Sequence, residues 1–271
     1  MSHPIEQLKQ IMAQLRDPES GCPWDQKQTF DSIVPHTVEE TYEVIDAIHA
    51  QDWENLQEEL GDFVFQAIFY SQLAQEQGFF DFDFDDVIRS VNEKLIRRHP
   101  HVFTDQVFDS EAAIRANWEK IKSEEKSRAG REEQSILDGV PKSLPALSRA
   151  YKLQAKCAKH GFDWDTLAPV VDKVREELDE VIEEVRCFPP DPAAIEDELG
   201  DLLFAVVNLT RHLQHHPESA LTRANKKFAR RFQGVEALAN QEGKSLDDYT
   251  LSELDRFWEQ VKQREKNRGS D

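Results

Sequence analysis

Eight carboxylates, spaced alike in two stretches of the chain, are the residues best placed to do chemistry. Glu40 and Glu43 stand three apart, as do Glu59 and Asp62; farther on, Glu177 with Glu180 and Glu198 with Asp201 repeat the pattern. Residues three apart share one face of a helix, so each pair sets two negative charges side by side, which weakens an isolated helix. Fifteen residues separate Glu43 from Glu59, and seventeen separate Glu180 from Glu198. Either gap holds the rest of one helix, a turn and the start of an antiparallel helix, so four carboxylates can converge across one interhelical space. Hard oxygen donors with no His or Cys among them suit Mg²⁺, with Mn²⁺ as a substitute, and these ions complete their shells with water and substrate phosphate. Zinc is poorly matched. An ion held this way polarises a phosphoryl oxygen, acidifies a coordinated water and aligns the attacking and leaving oxygens. The reaction class that follows is phosphoanhydride hydrolysis.

Simpler explanations exist for each feature alone. A Glu-rich helix is usually a solvated face, and Thr37-Val38-Glu39-Glu40 also fits a capping box. Gly61 and Gly200 cost about 1 kcal/mol each inside a helix relative to alanine, which close approach of metal or nucleotide, or tight helix packing, would explain. Positive charge for a polyphosphate is available in Lys226, Lys227, Arg230 and Arg231, and in Lys94, Arg97 and Arg98 followed by His99-Pro100-His101. Guanidinium groups grip phosphate oxygens with two prongs where ammonium offers a point charge. Lys173, one turn ahead of Glu177, adds a further contact. Such clusters are also common as solvated helix C-termini. Trp118 and Trp258 could stack on a base or belong to a core, whereas Trp24 and Trp164 are assigned to packing.

The elements that must position these groups are written twice. Gly21-Cys22-Pro23-Trp24-Asp25 recurs as Gly161-Phe162-Asp163-Trp164-Asp165, and Glu59-Leu60-Gly61-Asp62 as Glu198-Leu199-Gly200-Asp201. Lys94 to Arg98 matches Lys227 to Arg231, and Trp118 to Lys122 matches Trp258 to Lys262, in one order. Val38, Tyr42, Ile45 and Ile48, like Val174, Leu178, Val181 and Val185, recur at three and four, which predicts amphipathic helices. Alternating strand patterns are nearly absent. The expected class is all-α, with two tandem helical-bundle domains at 1–122 and 136–271 and a polar linker at 123–135. Past Gly61-Asp62 and Gly200-Asp201 the sequence turns apolar on all sides, so those helices need a cover, either their own bundle or a second subunit.

Composition narrows the partners. The 271 residues carry 53 Asp and Glu against 33 Lys and Arg, a formal charge of -20, which repels a nucleic-acid polymer. A small polyphosphate remains accessible where divalent ions bridge it to carboxylates. Cys22, Cys157 and Cys187 are too scattered for a disulfide framework and read as reduced thiols. No apolar run approaches the roughly 20 residues of a membrane span, and the first residues lack the layout of a secretory signal. Cytoplasmic location is expected.

The order Glu-Glu-x-x-Glu, a gap, then Glu-x-x-Asp resembles the signature of the MazG family within the all-α nucleotide pyrophosphohydrolases. The tandem layout, Gly21-Cys22-Pro23-Trp24-Asp25 and Arg97-Arg98-His99-Pro100-His101-Val102-Phe103 look like its two-domain bacterial form, so the likeness covers nearly the whole chain. It implies hydrolysis of nucleoside triphosphates to monophosphate and pyrophosphate, broad base tolerance, Mg²⁺, homodimerisation and a working site in the second domain. Carried over, Glu177, Glu180, Glu198 and Asp201 are the metal ligands, with Lys173, Glu176, Lys227, Arg230, Arg231 and Trp258 near the nucleotide. Glu40, Glu43, Glu59 and Asp62 form a second possible metal site. The first copy departs by having Pro35-His36-Thr37 where Val171-Asp172-Lys173 stands, removing the equivalent lysine.

Rival assignments fit less well. Gly161 with Arg175-Glu176 has Nudix spacing, but Leu167 stands where that motif needs glutamate and the strands are missing. A di-iron carboxylate bundle needs Glu-x-x-His on two helices, and no Glu-x-x-His occurs. From a different class, a non-catalytic nucleotide sensor or a helical scaffold shares the same helices, and metal-dependent turnover separates these from an enzyme.

Overall fold

A computed structural model describes residues 3–78, 82–128 and 135–268, and every regular element among them is helical, with no strand. The chain divides into two compact units, 1–131 and 132–271. The first contains α1 (Pro4–Leu15), α2 (Phe30–Ala50), α3 (Trp53–Gln77), α4 (Phe84–Arg98), the single turn α5 (Pro100–Phe103) and α6 (Glu111–Arg128). The second contains α7 (Ala146–Ala158), α8 (Leu167–Arg186), α9 (Pro192–His212), α10 (Pro217–Gln241) and α11 (Leu251–Arg268). Helix α6 continues to Arg128, into the stretch expected to be linker; residues 129–134 lie outside the described residues.

Each unit is organised around an antiparallel hairpin whose ends are written locally. In the first, Thr29 caps α2 by accepting from the Ser32 N–H, and Ser32 Oγ accepts from the Thr29 N–H. Thr37 is therefore not a cap. It lies two turns inside α2, where its hydroxyl bonds the Ile33 carbonyl at 3.2 Å and the Tyr70 hydroxyl at 2.8 Å. Gln51 in the left-handed region and Asp52, which accepts from the Asn55 N–H, alone separate α2 from α3. In the second unit Asp191 accepts from the Ala193 N–H, and Pro192 opens α9 at the position where a missing N–H costs nothing.

Met12, Ile33, Ile68, Phe69, Leu73 and Phe84 join α1 to α4 in one core, while Val235, Leu238, Ala239, Phe257 and Val261 lock α10 to α11. Gly234 allows that second contact, because a Cβ there would meet Val261 at 2.8 Å. The α2–α3 and α8–α9 hairpins behave differently. Val38, Tyr42 and Ile48, and Leu178, Val185 and Leu203, all remain exposed, so neither unit encloses its own apolar stripe. No helix among the described residues is long and apolar enough to cross a membrane.

Candidate functional site

Helix α8 supplies Glu177 and Glu180, and α9 supplies Glu198 and Asp201. The antiparallel hairpin brings carboxylate oxygens of Glu177, Glu180 and Glu198 within 4.8 Å of one another. Asp201 falls outside that trio but lines the same cavity as Glu177 and Lys173. Glu177 is only 5% exposed, an unusual place for a carboxylate without a partner. Lys173 is that partner, with Nζ at 2.5 Å from Glu177 and 2.7 Å from Glu176. Hydrogen bonds to Glu176 and Glu177 hold the Lys173 ammonium well above its ordinary pKa. One lysine does not neutralise three carboxylates. A hydrogen bond shared with Glu177, then loss of hydration and the charge on Glu177, push the Glu180 carboxyl upward. A trio of hard oxygens with one buried member and surplus negative charge fits a hard divalent cation.

The first unit assembles the same trio from Glu40, Glu43 and Glu59, again within 4.8 Å. Loss of hydration, then the charges of Asp62, Glu43 and Glu59, raise the Glu40 carboxyl. Aligning Glu40 with Glu177 places His36, not Thr37, opposite Lys173 and pairs Asp172 with Pro35, which corrects the register read from sequence by one residue. His36 Nδ1 lies 3.6 Å from Glu39. The buried carboxylate of the second unit thus has a fixed cation that the first lacks at that position.

Beside the second trio opens a cavity of about 660 Å³ whose lining includes Leu153, Gln154, Trp164, Val170, Phe204 and Asn208. Trp164, assigned to packing from sequence, is 43% exposed and forms part of this wall. Of the expected basic residues Lys173 lines it, whereas Lys227, Arg230 and Arg231 do not. Arg230 and Arg231 place their Nε atoms on the two oxygens of Glu265, at 2.9 and 2.8 Å. Arg231 also lies 5.9 Å from the Trp258 ring, which packs on Phe228, and Lys227 is exposed. The first unit repeats the device with Arg97 and Arg98 on Glu125. In both, one glutamate of the last helix holds an arginine pair, so its carboxyl is kept below the ordinary range by those arginines.

Sequence reasoning missed Glu125 and Glu265, although they follow the repeated Trp118 and Trp258 by seven residues in each copy. It also missed Asp163, whose carboxylate is gripped by Arg211 at 2.8 and 2.5 Å and by His212 at 2.9 Å. The Arg211 guanidinium foremost holds the Asp163 carboxyl down at about 2. No spacing rule links residue 163 to residue 211. Among the described residues neither helix packing nor another group explains Gly61 and Gly200, since a Cβ on either meets nothing within 4 Å.

The MazG nucleotide pyrophosphohydrolase domain matches this sequence twice, over residues 28–103 and 166–235. The chain belongs to the MazG family. The two MazG matches run through α2–α5 and through α8, α9 and most of α10, so each contains one carboxylate trio. The nucleoside triphosphate pyrophosphohydrolase of Escherichia coli (strain K12) is 52% identical over 261 residues, covering 96% of this chain and 98% of that protein. The nucleoside triphosphate pyrophosphohydrolase/pyrophosphatase MazG of Thermotoga maritima is 44% identical over 258 residues, covering 95% of each. The uncharacterized protein YabN of Bacillus subtilis is 44% identical over 97% of this chain, which accounts for 53% of YabN.

Proposed function

We propose that this protein hydrolyses nucleoside triphosphates to nucleoside monophosphate and pyrophosphate at the second repeat. The observation that carries the reading is the trio of Glu177, Glu180 and Glu198, with ligand oxygens within 4.8 Å and a buried member, opening onto a ligand-sized cavity. Family membership and the names of the relatives support it. Glu177, Glu180, Glu198 and Asp201 would hold Mg²⁺, or Mn²⁺ in its place. When bound, such an ion supplies phosphoryl polarisation and a water of lowered pKa.

The residues of the chain do the rest. Lys173 pairs with the buried Glu177 and holds Glu176 beside it. Glu180, set beside Glu177 and Glu198, takes a proton from the attacking water. Arg230 and Arg231, pre-oriented by Glu265, offset charge on the departing pyrophosphate, with Lys227 and Trp258 alongside the nucleotide. A second copy of the chain covers the exposed Leu178, Val185, Leu199 and Leu203, giving a homodimer. Broad base tolerance, a cytoplasmic setting with reduced thiols, and nucleotides rather than a nucleic-acid polymer as partners complete the reading.

The test is incubation of purified protein with each common nucleotide and Mg²⁺, with products separated by chromatography. Monophosphate and pyrophosphate are expected; diphosphate and orthophosphate contradict the reading, and no turnover favours a nucleotide sensor or scaffold. Replacing Glu180 by Gln is expected to lower kcat at least about 100-fold with helicity unchanged. Full activity in Glu180→Gln would move the catalytic role to the first repeat.

A further inference from the structure

We infer that the cavity beside Glu177 is the nucleobase subsite, and that Gln154 reads the base by accepting a hydrogen bond from one of its N–H groups. The inference rests on the proposed nucleotide hydrolysis and names the part of the substrate this pocket takes. Its first support is an orphaned atom. Gln154 is 8% exposed and lines the cavity, its Nε2 donates to the Phe204 carbonyl at 2.8 Å, and its Oε1 has no hydrogen-bond partner among the described residues. The amide cannot be turned around, because the Phe204 carbonyl requires a donor. A buried acceptor without a donor carries a desolvation cost that a ligand N–H removes.

Asn208 on the same wall is likewise 8% exposed. Its Oδ1 accepts from Arg211 Nε at 3.0 Å and from Nη2 at 2.7 Å, so its amide nitrogen is the donor it has to offer. Arg211 is itself fixed by Asp163, so Asn208 is oriented before anything binds. Leu153, Val170, Phe204 and Trp164 give the apolar surroundings that a flat heterocycle requires. One acceptor and one donor on an apolar wall match what every common base offers, since each carries at least one N–H and one lone-pair nitrogen or oxygen. That chemistry accommodates several bases without selecting one.

The second support is the comparison of repeats. Aligning Gly61 with Gly200 places Ile68 opposite Val207, and both are buried, so the two hairpins share a core register. In that register Gln66 and Phe69 stand where the second repeat has Ala205 and Asn208. Phe69 belongs to the first unit's hydrophobic core. Two differences on one helix face therefore set a core phenylalanine in the first repeat against a cavity-lining asparagine in the second, the repeat whose buried Glu has its lysine.

The test compares ATP with purine riboside triphosphate, which is ATP without its 6-amino group, the only N–H donor of adenine. The wild-type protein is expected to show kcat/KM at least about tenfold lower for purine riboside triphosphate. Gln154→Leu is expected to bring the two substrates within about twofold by lowering the ATP value. Asn208→Phe, which installs the residue the first repeat already carries, is expected to raise KM about tenfold or more for both substrates with helicity retained. Equal use of the two substrates by the wild type, a full preference surviving in Gln154→Leu, or an unchanged KM in Asn208→Phe overturns the assignment. Those results presuppose ATP turnover, so they are distinct from a wild type inert toward every triphosphate, which would remove the underlying reading and this inference together.

Discussion

A buried glutamate keeps its charge only where something compensates it, and that rule separates the two carboxylate trios. Glu177 has Lys173 within 2.5 Å, while the position equivalent to Lys173 in the first repeat is His36. The same rule makes Asp163 a stability element. Its carboxyl, held at about 2 against an ordinary 3.8 by Arg211 and His212, is depressed on folding. A depressed acid contributes stability that is present above the unfolded pKa and lost as pH falls through the folded one. The wild type is expected to lose thermal stability between about pH 4 and pH 2 through this group. Asp163→Asn is expected to melt about 2–5 °C lower at neutral pH and to show a shallower decline across the acid window, as followed by circular dichroism.

At the scale of elements, α10 and α11 form a unit that presents an arginine pair. Glu265 on α11 reaches Arg230 and Arg231 on α10, and the two helices approach closely at Gly234. Gly234→Ala would drive a methyl into the Val261 side chain at 2.8 Å. The substitution is expected to destabilise the second unit by about 1–3 kcal/mol, measured by urea unfolding, and to loosen the arginines from Glu265. A Gly234→Ala protein as stable as the wild type would show that α11 can retreat without cost. The hairpins α2–α3 and α8–α9 are the opposite case. Their termini are set by caps and short turns, yet the apolar residues on their outer faces stay uncovered, which is why a second copy enters the proposal.

For the whole molecule, duplication makes two units with the same carboxylate geometry but different surroundings. The halves are proposed to fold separately, with the division inside 129–134 rather than at 122, because α6 continues to Arg128 and carries the Glu125 that holds Arg97 and Arg98. A fragment of 1–128 and a fragment of 136–271 are each expected to be helical and to unfold cooperatively. Turnover of ATP is expected in the second fragment alone, at a rate within about tenfold of the intact chain, since its cavity, its lysine and its trio all lie within it. Activity confined to the fragment 1–128 would reverse the assignment of the working repeat.

Local chemistry by itself determined a good deal of this protein. The all-α class and the duplication follow from periodicity and residue type, which act over a few residues, and the same spacing sets Glu177, Glu180 and Glu198 where a hairpin can bring them together. The register near Lys173 follows from the glutamates themselves, since the residue one turn before Glu40 is His36 and the residue one turn before Glu177 is Lys173. The place of Trp164 on the cavity wall does not follow from sequence, since burial of an aromatic depends on what faces it. What only the tertiary structure decided concerns groups far apart in sequence. Asp163 meeting Arg211, Glu265 meeting Arg230 and Arg231, and Gln154 left without a donor on the wall shared with Asn208 are products of helix packing. Sequence spacing sets which side chains share a face, whereas packing alone sets which face a cavity opens on.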